Sequence, residues 1–262
     1  MVRFVYLILM LILPNACASA APPKTVKVCM MDSELFPLWR KPGQEDKINP
    51  GINIELQKQI MDAVKLQIEW VRAPFPRCLV MLRHNEVDLF NAASYSPDRE
   101  LYGVYPKDNG QIDITKRLKT DSYYAYVRRK ASLTWSSDNF VPSPSKPIAI
   151  EIGASIRSKL NDLNIPIYEV SRVEQAFGML EKGRVSAVVT NQFNGYIYQS
   201  DDIIELNPAV QSKFYYLISS HQFNNEYPVL MRQIWSQSEQ VRKESFKRLL
   251  DKYAGLTSWH EN

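Results

Sequence analysis

The chain predicts an α/β fold arranged as two similar lobes with a cleft between them. Three observations predict it. Helical and strand periodicities alternate along most of the sequence, the pattern of strand–helix–strand units. Val87–Ala93 (VDLFNAA) and Val185–Thr190 (VSAVVT) are short, almost unbroken apolar runs, as strands covered on both faces are. Leu79–Ser94 (LVMLRHNEVDLFNAAS) and Phe177–Gln192 (FGMLEKGRVSAVVTNQ) share a helix, a Met-Leu pair, a polar turn and a Val-led strand. Each copy ends in a polar turn, and two such turns can face each other across a cleft.

The elements follow in order. Thr25–Met31 alternates and then turns apolar, a first strand; Asp32–Pro37 and Trp39–Pro50 read as loops. Ile52, Leu56, Ile60 and Val64 stand four apart and predict a helix with one buried stripe. Leu66–Val71 is a second strand, and Ala73-Pro74-Phe75-Pro76 a rigid turn that half-buries one aromatic ring. A helix from Arg77 precedes the Val87–Ala93 strand. Ser96 is placed as an N-cap, with Pro97 at the first position of a further helix. Residues 107–120 are polar and irregular, Ser122–Val127 is β-prone, and Ala131–Lys146, rich in Ser and Pro, reads as loop. Ile148–Ile152 is a strand, followed by a helix through Leu163, a strand at Ile167–Val170, a helix at Val173–Lys182 and the Val185 strand. A helix begins in Phe193–Tyr198, Phe214–Ser219 is a strand, and Tyr227–Trp235 and Val241–Tyr253 are two closing helices.

Residues 1–20 read as a secretory signal. Arg3 is the basic start, Val5–Leu13 the apolar stretch and Ala18-Ser19-Ala20 the cleavage site. The expected location is the periplasm. A lipid anchor at Cys17 is the less favoured alternative, because Pro14-Asn15-Ala16 fits such a site poorly. No stretch approaches the roughly 20 apolar residues of a membrane span. The net charge of +4 is mild and its acids are interleaved, so a nucleic-acid surface is not expected; Arg128-Arg129-Lys130 reads as a solvated strand end. His84, His221 and His260 lack metal-ligand spacing, and no phosphate-binding glycine motif occurs, so neither metal nor cofactor is expected. A monomer is expected.

Cys29 and Cys78 remain after export. An even pair in an oxidising compartment is read as a disulfide, which would contribute about 3–4 kcal/mol in the chain-entropy model; two separate buried thiols are the alternative. Nothing pairs a histidine with either sulfur, which argues against a catalytic thiol.

The turn Ser94-Tyr95-Ser96-Pro97-Asp98-Arg99 holds the chemistry. Open α/β sheets bind ligands beyond the carboxyl ends of their strands. This turn lies at such an end and brings hydroxyls, backbone N–H groups and one guanidinium, a seat for a carboxylate. Each residue also has a plainer role: Arg99 as a surface arginine, Phe75 as a loop staple, Ser155 as an N-cap, Asn191 as a strand terminator.

In the segments DSELFPL, INIELQKQIMDAVKLQIEWV, LVMLRHNEVDLFNAASYSPDR, IAIEIGAS and MLEKGRVSAVVTNQ, taken in order, the chain resembles family-3 periplasmic solute-binding proteins of amino-acid ABC transporters. The resemblance implies a type II binding-protein fold: lobe 1 from 21–121 plus 216–262, lobe 2 from 122–215, and hinges near Asp121–Tyr124 and Lys213–Tyr216. It implies that Arg99 clamps a ligand carboxylate with Ser94 and Tyr95 beside it, that Phe75 walls the ligand, and that Ser155 binds from lobe 2. Leu35 falls where an aromatic is common. Asn191 replaces the aspartate that receives a ligand's α-ammonium. Either Glu34 supplies that charge or the ligand is not an ordinary α-amino acid. The implied function is closure on a small carboxylate-bearing solute for an ABC permease. The alternatives are a sensor or partner-binding module with a degenerate cleft, and an exported dehydratase-like enzyme using Glu34 or Glu151.

Overall fold

The computed structural model describes residues 23–136, 138–254 and 256; the signal segment 1–20 and Cys17 lie outside the described residues. The order is β1 (Thr25–Met31), α1 (Ile52–Ala63), β2 (Gln67–Ala73), α2 (Phe75–Arg83), β3 (Leu89–Ser94), a 3-10 turn (Pro97–Leu101), a small ribbon of β4 (Lys107–Asp108) and β5 (Gln111–Ile112), and β6 (Lys119–Arg128). A hairpin of β7 (Thr134–Ser136) and β8 (Asn139–Val141) follows, then β9 (Ile148–Glu151), α3 (Arg157–Asp162), β10 (Ile167–Val170), α4 (Val173–Glu181), β11 (Ala187–Asn191) and α5 (Gln192–Tyr196). The chain ends with β12 (Ile203–Ser219), α6 (His221–Glu226) and α7 (Pro228–Ala254).

Eight strands form one sheet in the order β10-β9-β11-β6-β12-β3-β1-β2. Three strands at each end form parallel triplets, β2-β1-β3 and β10-β9-β11, and each has its earliest strand in the chain in the middle. Between them run β6 and β12, antiparallel to each other and to the triplet each one joins. Tyr123 to Tyr126 of β6 pair with β11, while Tyr215 to Ser219 of β12 pair with β3. The stretch where Lys119–Tyr123 faces Gln211–Tyr215 therefore bridges the two lobes.

Apolar side chains fill both faces of each triplet. In the first lobe, Val26, Val28, Met30, Leu89 and Leu217 face α1 and α7, while Cys29, Phe90, Ala93, Tyr216 and Ile218 face α2. In the second, Ile148, Ile150, Val127 and Val189 meet Leu160 of α3 and the hairpin's Trp135 and Phe140, while Ala149, Val188 and Tyr126 meet Phe177 of α4. Cys29 and Cys78 form a disulfide with Cα atoms 5.6 Å apart, tying β1 to α2 inside the first core.

Four expectations change. The segment 131–146 is not all loop: Trp135 and Phe140 pack edge to face at 4.9 Å and fold it into β7–β8. β12 begins at Ile203 rather than Phe214, because its first half, IIELNPAVQS, pairs with β6 across a register shift between Leu206 and Gln211 and packs Ile204, Leu206 and Val210 on the second core. The two closing helices are one. The polar segment 236–240 contains neither Gly nor Pro to stop it, and buried Ser238 donates back to Ile234 O at 3.0 Å. Pro97 opens only a 3-10 turn of five residues, and the Ser96 side chain makes no capping bond.

Candidate functional site

The carboxyl ends of β3 and β9 meet where the lobes touch. Arg99, 4 % exposed, is aimed there by the 3-10 turn that follows Ser94. Its Nη1 donates to Ser94 O at 2.7 Å and Ser94 Oγ at 2.6 Å, and its Nη2 donates across the cleft to Gly153 O at 2.6 Å. One guanidinium thus binds both lobes, using the planar fork that also suits a carboxylate. Phe75, on the first turn of α2, lies with its ring centroid 5.1 Å from the Arg99 guanidinium carbon. Gly153 has φ of +80°, which L side chains rarely adopt, and a Cβ there would press on the Phe75 ring at 3.2 Å, so glycine suits this close approach.

A hydrogen-bond chain continues from Arg99. Ser94 Oγ and Ser155 Oγ are 2.8 Å apart, and Ser155 Oγ lies 3.4 Å from Tyr123 Oη. Tyr123 pairs with Asn191 in the β6–β11 register, and Asn191 Nδ2 donates to the Tyr215 hydroxyl at 3.2 Å. Burial holds the Tyr215 phenol well above its ordinary range, so it stays a neutral donor. Beside it lies a fully enclosed ion pair. Lys119 Nζ donates to Asp121 Oδ2 at 2.8 Å, the side chains are 2 % and 1 % exposed, and the ammonium sits 4.8 Å from the Phe193 ring and 4.9 Å from the Tyr215 ring. Phe193 and Tyr196 of α5 reach over to pack in the first lobe's core. Gly195 makes this possible, since a Cβ there would overlap the Tyr126 ring.

The structure brings Arg99, Ser94, Phe75 and Ser155 together and sets Asn191 opposite Tyr123, whose hydroxyl reaches Ser155. It places Tyr95 and Glu34 elsewhere. Tyr95 donates to Glu100 Oε1 at 2.9 Å and packs on Tyr105; it is Tyr105 that reaches Ser94, donating to its carbonyl at 2.9 Å. Glu34 accepts from Lys41 N at 2.6 Å, lies 3.6 Å from Arg40, and lines a cavity of about 620 Å³ at the mouth of the cleft. Phe36, not the buried Leu35, supplies that cavity's aromatic ring, with Tyr196 opposite. Sequence reasoning missed Lys119, Tyr123 and Tyr215. Their signal was the aromatic content of both crossover strands, which reads equally as core.

Glu151, at the end of β9, accepts from Asn194 Nδ2 at 3.2 Å. Burial, and secondly the charge of Glu174, push its carboxyl up to about 7. Lys213, on β12, has its ammonium pKa lowered by burial and then by the charge of Arg99. Among the described residues no three His, Cys, Asp or Glu side chains converge as a metal site, and no helix is long and apolar enough to cross a membrane.

No protein-family profile and no curated relative matches the sequence. Solved structures do match its fold. An ancestral arginine-binding protein bound to glutamine superposes with a TM-score of 0.69 at 15% identity, covering 89% of this chain and 99% of that one. The ancestral amino-acid-binding protein AncCDT-1, a precursor of cyclohexadienyl dehydratase, gives 0.67 at 16%, covering 88% and 95%. The GluR0 ligand-binding core from Nostoc punctiforme, in complex with L-glutamate, gives 0.65 at 19%, covering 88% and 99%. The chain has the two-lobed α/β fold of solute-binding proteins, the architecture that its resemblance to that family implies.

Proposed function

We propose that this is an exported solute-binding protein whose lobes close on a small carboxylate-bearing ligand, an amino acid or a related acid, and deliver it to an ABC permease. In this reading lobe 1 comprises residues 21–121 and 216–262, lobe 2 comprises 122–215, and the signal segment directs the chain to the periplasm. The observation that supports it most is Arg99. Its fork binds Ser94 in one lobe and the Gly153 carbonyl in the other. A ligand carboxylate taking the place of that carbonyl would be gripped where the lobes meet, with Ser94 and Ser155 beside it. Hinge closure about β6 and β12 would then bury it.

A thermal-shift screen with amino acids, dicarboxylates, amines and cyclic acids tests this. A ligand at about 100 times its Kd adds roughly 2.7 kcal/mol, a shift of several degrees for a chain of this size. Arg99→Ala should abolish the shift while leaving a cooperative melt. A variant that responds like wild type would refute the clamp.

Glu151 favours a second reading, an enzyme on the same scaffold, since a carboxyl holding its proton to about pH 7 has the affinity a general acid needs. It faces Asn194 and Glu174 rather than Arg99, so binding remains the better-supported reading. Turnover of any ligand found in the screen would reverse that order.

A further inference from the structure

We propose that the cleft takes a carboxylic acid whose neighbouring polar group is a neutral hydrogen-bond donor, a hydroxyl or an amide N–H rather than an ammonium, and that Asn191 selects it. The inference rests on the solute-binding reading and narrows its ligand.

The acids near the Arg99 centre are already committed. Asp121 holds Lys119 and accepts from Ser122 N at 2.8 Å. Glu34 is held by Lys41 N and Arg40 at the cleft mouth. Glu151 holds Asn194. Asp98 stands on the exposed side of the 3-10 turn. The excess charge is positive, because Arg99 and half-buried Lys213 together outnumber Asp98, the one carboxylate that acts on Lys213. An ammonium attached beside the ligand carboxylate would lose its water among cations and find no buried carboxylate left unpaired, which is costly.

Asn191 offers what a neutral donor needs. It stands at the carboxyl end of β11 and at the start of α5, yet its side chain makes no capping bond. Nδ2 is spent on Tyr215, whereas Oδ1 is buried and accepts no hydrogen bond among the described residues. A buried acceptor with no donor is a cost that the right ligand removes. Asn191 lies opposite Tyr123 in the sheet, and the Tyr123 hydroxyl is 3.4 Å from Ser155 Oγ, which meets Ser94 and so Arg99. A carboxylate at Arg99 and a donor at Asn191 Oδ1 therefore define a two-point site. Sites built to pair a specific polar group reject analogues that mismatch it.

The test is calorimetric titration of the mature protein with matched acids: L-2-hydroxyglutarate, N-acetyl-L-glutamate and L-glutamate, then L-malate, N-acetyl-L-aspartate and L-aspartate. We expect the hydroxy or the N-acetyl acid to bind at least about tenfold more tightly than its amine counterpart, and the stronger of the two identifies the donor. Asn191→Asp should erase or reverse that preference. An amine that binds as tightly as both neutral partners overturns the inference and leaves the solute-binding reading standing. A preference that survives in Asn191→Asp overturns the assignment to Asn191. Silence from every acid at about 10 mM, together with no hit in the wider thermal-shift panel and a cooperative melt, overturns the inference and the solute-binding reading together.

Discussion

Ser94 Oγ and Ser155 Oγ lie 2.8 Å apart, one hydroxyl from each lobe, with Arg99 Nη1 2.6 Å from the first and Tyr123 Oη 3.4 Å from the second. The contact joins the end of β3 to the loop after β9. The closed arrangement is thus held by directional bonds as well as by the apolar packing of Phe193 and Tyr196.

Ser155→Ala deletes one side of that contact. A buried hydrogen bond of this kind contributes about 1 kcal/mol, which is roughly a fivefold change in a conformational equilibrium. The variant should populate a more open form, seen as a larger radius of gyration in small-angle scattering, while its melting temperature changes little. An unchanged radius in both proteins would show that apolar packing alone sets closure.

Lys119 and Asp121 are paired deep in the bridging strand β6. Removing one partner strands a buried charge, so Lys119→Met and Asp121→Asn should each destabilise by about 3–5 kcal/mol. The double variant should recover much of the loss, because the orphaned charge is gone. Urea denaturation of all four proteins reads the coupling. Additive losses would mean that the pair is solvated in solution.

The Cys29–Cys78 bridge closes a loop with a sequence separation of 49. Converting both residues to alanine should cost about 3–4 kcal/mol in the chain-entropy model. Titration of the denatured, unreduced mature protein should find no free thiol. Two titratable thiols would remove the bridge.

Glu151 makes stability depend on pH in a defined direction. The unfolded chain releases this proton near its ordinary value of 4.5, while the folded one keeps it to about 7. The contribution is therefore full below pH 4.5, falls as pH rises towards 7 and is absent above it. The span amounts to about 3 kcal/mol at 1.36 kcal/mol per pH unit. Glu151→Gln should gain stability over wild type as pH rises through this window and show no relative gain below it. Parallel slopes for the two proteins in urea melts between pH 4 and 8 would refute the burial argument.

The fold was legible where periodicity is strong. The stripe of Ile52, Leu56 and Ile60 and the apolar runs of β3 and β11 stand close to where the sequence puts them, and the repeated helix–strand unit corresponds to the two parallel triplets. Arg99 stands at the strand-end turn where the sequence puts it, and its guanidinium reaches both lobes. Elements held by tertiary partners were not legible. The first half of β12, interrupted by Asn207-Pro208, is a strand because β6 lies beside it, and β7–β8 forms because Trp135 and Phe140 share a core. Glu34 shows the limit of reading a site by position along a loop. Its backbone location matched the expectation, but its carboxylate is turned to Lys41 and Arg40.

The placement of β12 late in the chain bears on how the protein is made. Its Ile203–Leu206 segment supplies the outer partner of β6, and its Tyr215–Ser219 segment supplies the partner of β3. α7, synthesised later still, contributes Leu230, Met231, Ile234 and Leu249 to the first lobe's core. A chain emerging from the ribosome therefore has neither half finished while β12 remains inside the exit tunnel. A premature stop before Ile203 would deprive both lobes of an essential strand, so truncated products should be degraded whole instead of persisting as a folded half.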